Sequence, residues 1–74
     1  MKQVIVTFEV NTSGEYWGVT TNIPGVVTSC GATFEELRNN MVQAYQDHRD
    51  LLEELGDKAL LETPNNPYFE FKTN

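Results

Sequence analysis

Carboxylates are the side chains in this sequence most able to do chemistry. The chain has 11 Asp and Glu residues among 74, and a carboxylate cluster holding two divalent ions can hydrolyse phosphodiesters. That chemistry needs a defined set of ligands, and no spacing in the chain selects one. We therefore predict a solvated acidic helix surface, no metal or other cofactor, and no catalysis. The carboxylates considered are Glu9, Glu35, Glu36, Asp47, Asp50, Glu53, Glu54 and Glu70.

The single histidine and the single cysteine have no partner with which to form a familiar site. His48 lies on the apolar stripe of a predicted helix, so we expect it to pack or to lie at an interface. A role as ligand or acid–base group is the alternative. Because Cys30 is the single cysteine, an internal disulfide and a thiolate metal site within one chain are excluded. We expect Cys30 to be half-buried.

The charge of the chain bears on the kind of partner it can bind. The net charge is -6, and direct nucleic-acid binding requires clustered Lys and Arg, which are missing here. A basic protein partner fits better, because complementary fields steer association. Solubility alone is the alternative explanation of the acidity. The predicted partner-binding carboxylates, near the end of the predicted helix, are Asp47, Asp50, Glu53, Glu54 and Asp57.

The first 31 residues show the alternation of strands. Apolar residues at every second position predict strands over 4–10 and 15–23, joined as an antiparallel hairpin. Pro24 and Gly25 end the second strand, and a shorter third strand over 26–30 ends at Gly31.

Two neighbouring aromatic residues on the second strand must point to opposite faces of the sheet. We predict that Trp17 enters the core and that Tyr16 faces outward. An exposed Tyr16 could anchor an interface, and an ordinary cross-strand pair is the alternative.

A change of period after Gly31 predicts one long helix. Thr33 and Glu36 have the spacing of a capping box, and Gly56 supplies the stop. The stripe between them is typical of a helix that covers a sheet; its main positions are Phe34, Leu37, Met41, Ala44, His48, Leu51 and Leu55, widened by Tyr45 and Leu52. A helix of about 33 Å is long for so small a sheet. We therefore expect Leu51, Leu52 and Leu55 to protrude and to contribute to an oligomer interface.

A last strand over 68–72 completes the order β-β-β-α-β in one α+β domain, 1–74. The sheet is predicted to be an antiparallel three-stranded meander with the fourth strand parallel to an earlier one, the helix covering one face. A small core and two sheet edges favour a homodimer. The sequence shows no leader and no apolar run near 18 residues, so we expect a cytoplasmic protein without membrane contact.

Four segments in this order resemble the HicB antitoxin family: Gly14–Trp17, Asn22–Thr28, Gly31–Leu37 and Asn40–Ala44. Their shared marks are an aromatic hairpin, a Pro-Gly pair, a Gly-x-Thr-x-Glu-Glu helix start, and an Asn and an Ala further along. The resemblance implies a partial RNase H-like fold and binding to HicA-type toxins, which are small basic RNA-cleaving proteins. The family's C-terminal DNA-binding segment has no counterpart up to Asn74, so autorepression is not expected of this chain.

Three functional hypotheses remain from the sequence. The first is an antitoxin-like protein that masks the surface of a small basic HicA-type toxin. The second is a stand-alone HicB-like homodimeric module with another protein or a small ligand as partner. The third is a degenerate RNase H-like nuclease.

Overall fold

A computed structural model describes residues 2–74, which form a four-stranded mixed sheet and one α-helix. The predicted α+β class is therefore confirmed. The elements in chain order are β1 (Gln3–Val10), β2 (Tyr16–Thr20), β3 (Thr28–Gly31), α1 (Phe34–Leu55), a short 3₁₀ helix (Lys58–Glu62) and β4 (Tyr68–Thr73).

The strands are arranged in the order β3-β2-β1-β4. β2 is antiparallel to both β1 and β3, whereas β4 runs parallel to β1. The parallel pair follows from the long connection through α1, because parallel neighbours require a crossover. β3 and β4 are therefore the two edges of the sheet.

The helix begins and ends at the predicted caps. Thr33 Oγ1 accepts a hydrogen bond from the Glu36 backbone N–H at 3.1 Å, and the C-cap Gly56 adopts a left-handed φ of 64°. The Glu36 carboxylate accepts from the Ala32 backbone N–H at 3.4 Å instead of from Thr33, so the reciprocal bond of the capping box is shifted by one residue. Within residues 2–74, no helix has the length and apolarity needed to cross a membrane.

The core lies between α1 and one face of the sheet. Val4 and Val6 of β1 are fully buried beneath Met41 and Tyr45 of the helix. At the other end of the same face, four rings form an aromatic cluster that brings together β1, β2, α1 and β4: Phe8, Tyr16, Phe34 and Phe71.

The predicted orientation of β2 is wrong. Trp17 is 46% exposed on the face that the helix leaves open, and Tyr16 is half-buried in the aromatic cluster. The reason is Gly18, whose missing side chain leaves room for Leu37 and Met41 of the helix. A Cβ at Gly18 would stand 3.1 Å from Val6 Cγ1, so this position must face the helix. Trp17 is then turned away, because successive strand residues point to opposite faces.

The end of α1 extends past the sheet only in part. Leu51 and Leu55 are exposed, by 51% and 68%, as expected of a protruding helix end. Leu52 is buried, contrary to the prediction. Since the 3₁₀ helix folds back against α1, the helix end has a neighbour that the sequence pattern did not reveal.

Candidate functional site

The predicted partner-binding carboxylates form an exposed surface, called here the acidic surface. All five are solvent-exposed. Those on α1 lie opposite the buried residues Leu37, Met41, Tyr45 and Leu52, because the helix turns by about 100° per residue. The four carboxylates on α1 therefore face away from the sheet. Together with the exposed Asp57, which follows the helix, they make up the acidic surface: Asp47, Asp50, Glu53, Glu54 and Asp57.

Three of these carboxylates accept hydrogen bonds from neutral groups. Gln43 donates to Asp47 at 3.0 Å and Gln46 donates to Asp50 at 2.9 Å, each one helical turn along. Asp57 caps the 3₁₀ helix and accepts from the Ala59 backbone N–H at 2.9 Å.

Within residues 2–74, no cation forms an ion pair of 4.0 Å or less with a carboxylate of the acidic surface. The ion pair that the described chain contains joins Lys72 to Glu70 on β4. Arg49 lies on the same helix as the acidic surface, but its guanidinium is turned to the loop before β4, where it donates to the Thr63 carbonyl and to Asn65 Oδ1. The negative charge of the acidic surface is therefore available to a partner.

The second exposed feature is the face of the sheet that α1 leaves uncovered, called here the open sheet face. Trp17 stands on it, and its indole N–H donates to Glu15 at 2.9 Å. A shallow depression of about 250 Å³ lies beside the ring. Its walls include Thr7, Glu9, Trp17, Val19, Thr28 and Asn74. Glu9 is the one titratable side chain in these walls, and the aromatic, aliphatic and hydroxyl groups around it suit a protein or small-ligand contact more than acid–base chemistry.

The two surfaces lie on opposite sides of a two-layer molecule. The acidic surface is on the outer side of the helix layer, and Trp17 is on the outer side of the sheet layer. Tyr16, which was predicted to belong with the acidic residues at the interface, belongs to neither, since its ring lies between the layers. Sequence reasoning missed the open sheet face because it assigned Trp17 to the core.

The remaining candidate residues have structural positions. His48 is half-buried against the Pro24–Gly25 turn: a Cβ at Gly25 would stand 3.3 Å from its Cε1. Its Nε2 atom is shielded and has no hydrogen-bond partner among residues 2–74. Cys30 is half-buried, and its carbonyl accepts from Asn40 at 2.9 Å. In the described part of the chain, no group of three His, Cys, Asp or Glu residues is placed to hold a metal ion.

Exposed leucines near the end of α1 add an apolar margin to the molecule. Leu51 and Leu55 are one helical turn apart, and Leu61 of the 3₁₀ helix is 86% exposed. The first two were predicted from the sequence as interface residues, and Leu61 was not. The signal for Leu61 is the short apolar run Ala59–Leu61.

Comparison with known proteins assigns this geometry to no family. No family model matches the chain, and neither the curated proteins nor the solved structures contain a match. The candidate surfaces are therefore defined by their own charge, exposure and position in the fold.

Proposed function

We propose that the chain is an antitoxin-like binding protein that neutralises a small basic RNA-cleaving toxin of the HicA type by covering its surface. The observation that carries the proposal is the acidic surface: five exposed carboxylates with no Lys or Arg nitrogen within 4.0 Å of them among residues 2–74. The resemblance of the segments between Gly14 and Ala44 to HicB supports it. A helix over one face of a mixed sheet is compatible with the partial RNase H-like fold which that resemblance implies.

The proposed mechanism is electrostatic competition with RNA. A protein that cleaves RNA must hold the phosphates with Lys and Arg side chains. The acidic surface offers those cations an alternative set of anionic oxygens, and its field speeds the encounter. The toxin stays inhibited for as long as the complex lasts, so the dissociation rate governs protection. Binding alone does this work, and no cofactor or catalytic step in the chain is needed.

The first experiment is genetic. The chain is co-expressed with the product of the adjacent reading frame, and bacterial growth is measured. Rescue of growth from a toxic neighbour supports the proposal. A neighbour that is not toxic, or toxicity that the chain does not relieve, contradicts it.

The second experiment assigns the surface. Reversing two charges, Asp50→Lys with Glu54→Lys, should slow association with the toxin about tenfold at low salt and weaken its salt dependence. The matched control, Glu35→Lys with Glu62→Lys, makes the same change in net charge at exposed positions outside both the acidic surface and the open sheet face. Equal slowing by both double variants would show that total charge matters and the acidic surface does not.

The open sheet face supports a second candidate, a module that binds another protein or a small ligand. The observation in its favour is the exposure of Trp17, because tryptophan is enriched at the centres of interfaces. Trp17 is the single tryptophan of the chain, so its fluorescence reports directly on this face. A partner that binds the acidic surface leaves the emission of Trp17 unchanged, whereas one that covers the open sheet face shifts it to shorter wavelength.

A further inference from the structure

The two edges of the sheet differ in how far the chain covers them. At the β3 edge, Thr20 N–H donates to Val27 O, which fixes the hydrogen-bonded pairs of β2 and β3. By this alternation the backbone groups of Thr28 and Cys30 point away from β2. The Asn40 side chain of the helix donates a hydrogen bond to the outward-pointing Cys30 carbonyl, so the chain itself covers part of this edge.

The β4 edge has no such cover. Tyr68 N–H donates to the Lys2 carbonyl at 3.1 Å and Asn74 N–H donates to the Phe8 carbonyl at 2.8 Å. Even-numbered residues of β4 therefore face β1, and the backbone groups of odd-numbered residues point outward. The outward N–H and C=O groups are those of Phe69, Phe71 and Thr73, and no hydrogen bond among residues 2–74 uses them. A six-residue strand with a free edge is a template for another strand.

We propose that a second copy of this chain occupies the edge: two β4 strands pair antiparallel, centred on Phe71, and join the two sheets into one. In this register Phe71 pairs with Phe71 of the second copy, and Phe69 pairs with Thr73. Each pair brings outward groups together and exchanges two backbone hydrogen bonds. This dimer is independent of the proposed toxin-binding function, because the acidic surface is not needed to form it. Glu70 and Lys72, which enter the junction, lie at the β4 margin of the open sheet face.

Charge selects this register over its neighbours. Centring the pair on Glu70 would place Glu70 opposite its own copy, and centring it on Lys72 would do the same with Lys72. Like charges directly opposite each other in a sheet are destabilising. Centring it on Phe71 places Glu70 of each copy opposite Lys72 of the other. Since Glu70 and Lys72 already form an ion pair of 3.1 Å within one chain, the four charges would alternate in sign across the junction.

The helix side of β4 also favours a neighbour. α1 lies over β2 and β3 and makes no backbone approach to β4. Phe69 and Phe71 are consequently only half-buried on that side. Pairing about Phe71 would bring the two Phe71 rings together and extend the aromatic cluster across the junction, which removes further apolar surface from water.

The test is the association state of the full chain by analytical ultracentrifugation. We expect the wild-type chain to be a dimer whose population rises with concentration. Glu70→Lys and Lys72→Glu should each raise the dissociation constant about tenfold, because each creates like-charged cross-strand pairs. The matched control Lys58→Glu makes the same charge change as Lys72→Glu in the 3₁₀ helix, and it should leave the dissociation constant unchanged.

The decisive sample is an equimolar mixture of Glu70→Lys and Lys72→Glu. Each Glu70→Lys chain has two cations at the junction, and each Lys72→Glu chain has two anions there. The mixture should therefore form heterodimers of near wild-type affinity. A monomeric wild-type chain, or a mixture no tighter than its components, overturns the proposal. If either variant fails to fold by circular dichroism, Thr73→Pro takes its place, since it removes one outward N–H and edge strands tolerate proline. An unchanged dimer in Thr73→Pro then overturns the proposal, and loss of the dimer supports it.

Discussion

The hydroxyl of Tyr45 donates a hydrogen bond of 2.7 Å to the backbone carbonyl of Pro64. This bond ties the middle of α1 to the loop that leads into β4. Arg49, one turn further along the helix, donates to the neighbouring Thr63 carbonyl at 3.0 Å. The Tyr45 ring also meets Phe69 edge-on, with centroids 5.2 Å apart. Tyr45 and Arg49 therefore position the strand whose edge we propose as the dimer junction.

Removing the Tyr45 hydroxyl should destabilise the fold. Tyr45→Phe keeps the ring against Phe69 and leaves the Pro64 carbonyl without its donor. We expect a loss of about 1–2 kcal/mol in the free energy of unfolding, measured by urea titration. A loss well below this range would mean that water replaces the hydroxyl and that the loop is held by Arg49.

The burial of the Tyr45 hydroxyl should make stability depend on pH in the alkaline range. Burial raises the pKa of the Tyr45 hydroxyl above its ordinary value of 10.0, and the Arg49 guanidinium opposes this rise. Because the folded-state pKa is the higher one, the stability from neutral Tyr45 is complete below about pH 10 and is lost as pH rises through the folded-state pKa. The difference in unfolding free energy between wild type and Tyr45→Phe should therefore shrink above about pH 10. A constant difference across this range would contradict the raised pKa.

Asn22 extends the pairing of β1 and β2 beyond the end of β2. Its side-chain oxygen accepts from the Ile5 N–H at 2.8 Å, and its amide donates to the Gln3 carbonyl at 2.9 Å. The side chain thus replaces a strand residue. Asn22→Ala should cost about 1–2 kcal/mol of unfolding free energy. The control Asn39→Ala, at an exposed helix position, should be neutral or slightly stabilising, because alanine favours helices.

Local signals explain why the helix could be predicted well from the sequence. Its caps at Thr33 and Gly56 act within a few residues, and the spacing of its apolar stripe belongs to the helix itself. The acidic surface could be predicted for the same reason, since side chains on one side of a helix are fixed by its period. The existence of the strands and their order along the chain likewise followed from alternation and turn residues.

The orientation of β2 could not be predicted, because apolar residues occur among both the odd-numbered and the even-numbered positions of the strand, which point to opposite faces of the sheet. Which set faces the helix depends on the contact between Gly18 and Leu37, which lie far apart in the sequence. The hydrogen bonds from Tyr45 and Arg49 to the loop before β4 are also tertiary contacts, which no local pattern indicates. The free edge of β4 could not be predicted either, because it can be identified only once the pairing of β4 with β1 is known.

Gly31 should tolerate substitution less well than Gly56, for a reason other than backbone conformation. A Cβ at Gly31 would lie 2.6 Å from the Leu37 backbone nitrogen and 2.8 Å from Glu36 Cβ, so the first turn of α1 would have to move. We expect Gly31→Ala to cost about 2–3 kcal/mol. Gly56→Ala meets nothing within 4 Å and should cost about 1–2 kcal/mol for its left-handed φ. Denaturant unfolding of both variants measures the difference, and a reversed order would show that the helix start yields easily.

Tyr16 should contribute more to stability than Trp17. This is the reverse of the order that the sequence suggests, which places Trp17 in the core. Tyr16→Ala removes a half-buried ring that contacts Phe8 and Phe34, and it should cost about 2–3 kcal/mol, less than a fully buried aromatic. Trp17→Ala removes a ring that is 46% exposed, and it should cost less than about 1 kcal/mol. Circular dichroism must follow the unfolding, because Trp17→Ala removes the fluorescent reporter. A larger loss for Trp17→Ala would place the tryptophan in the core and reverse the assignment of the open sheet face.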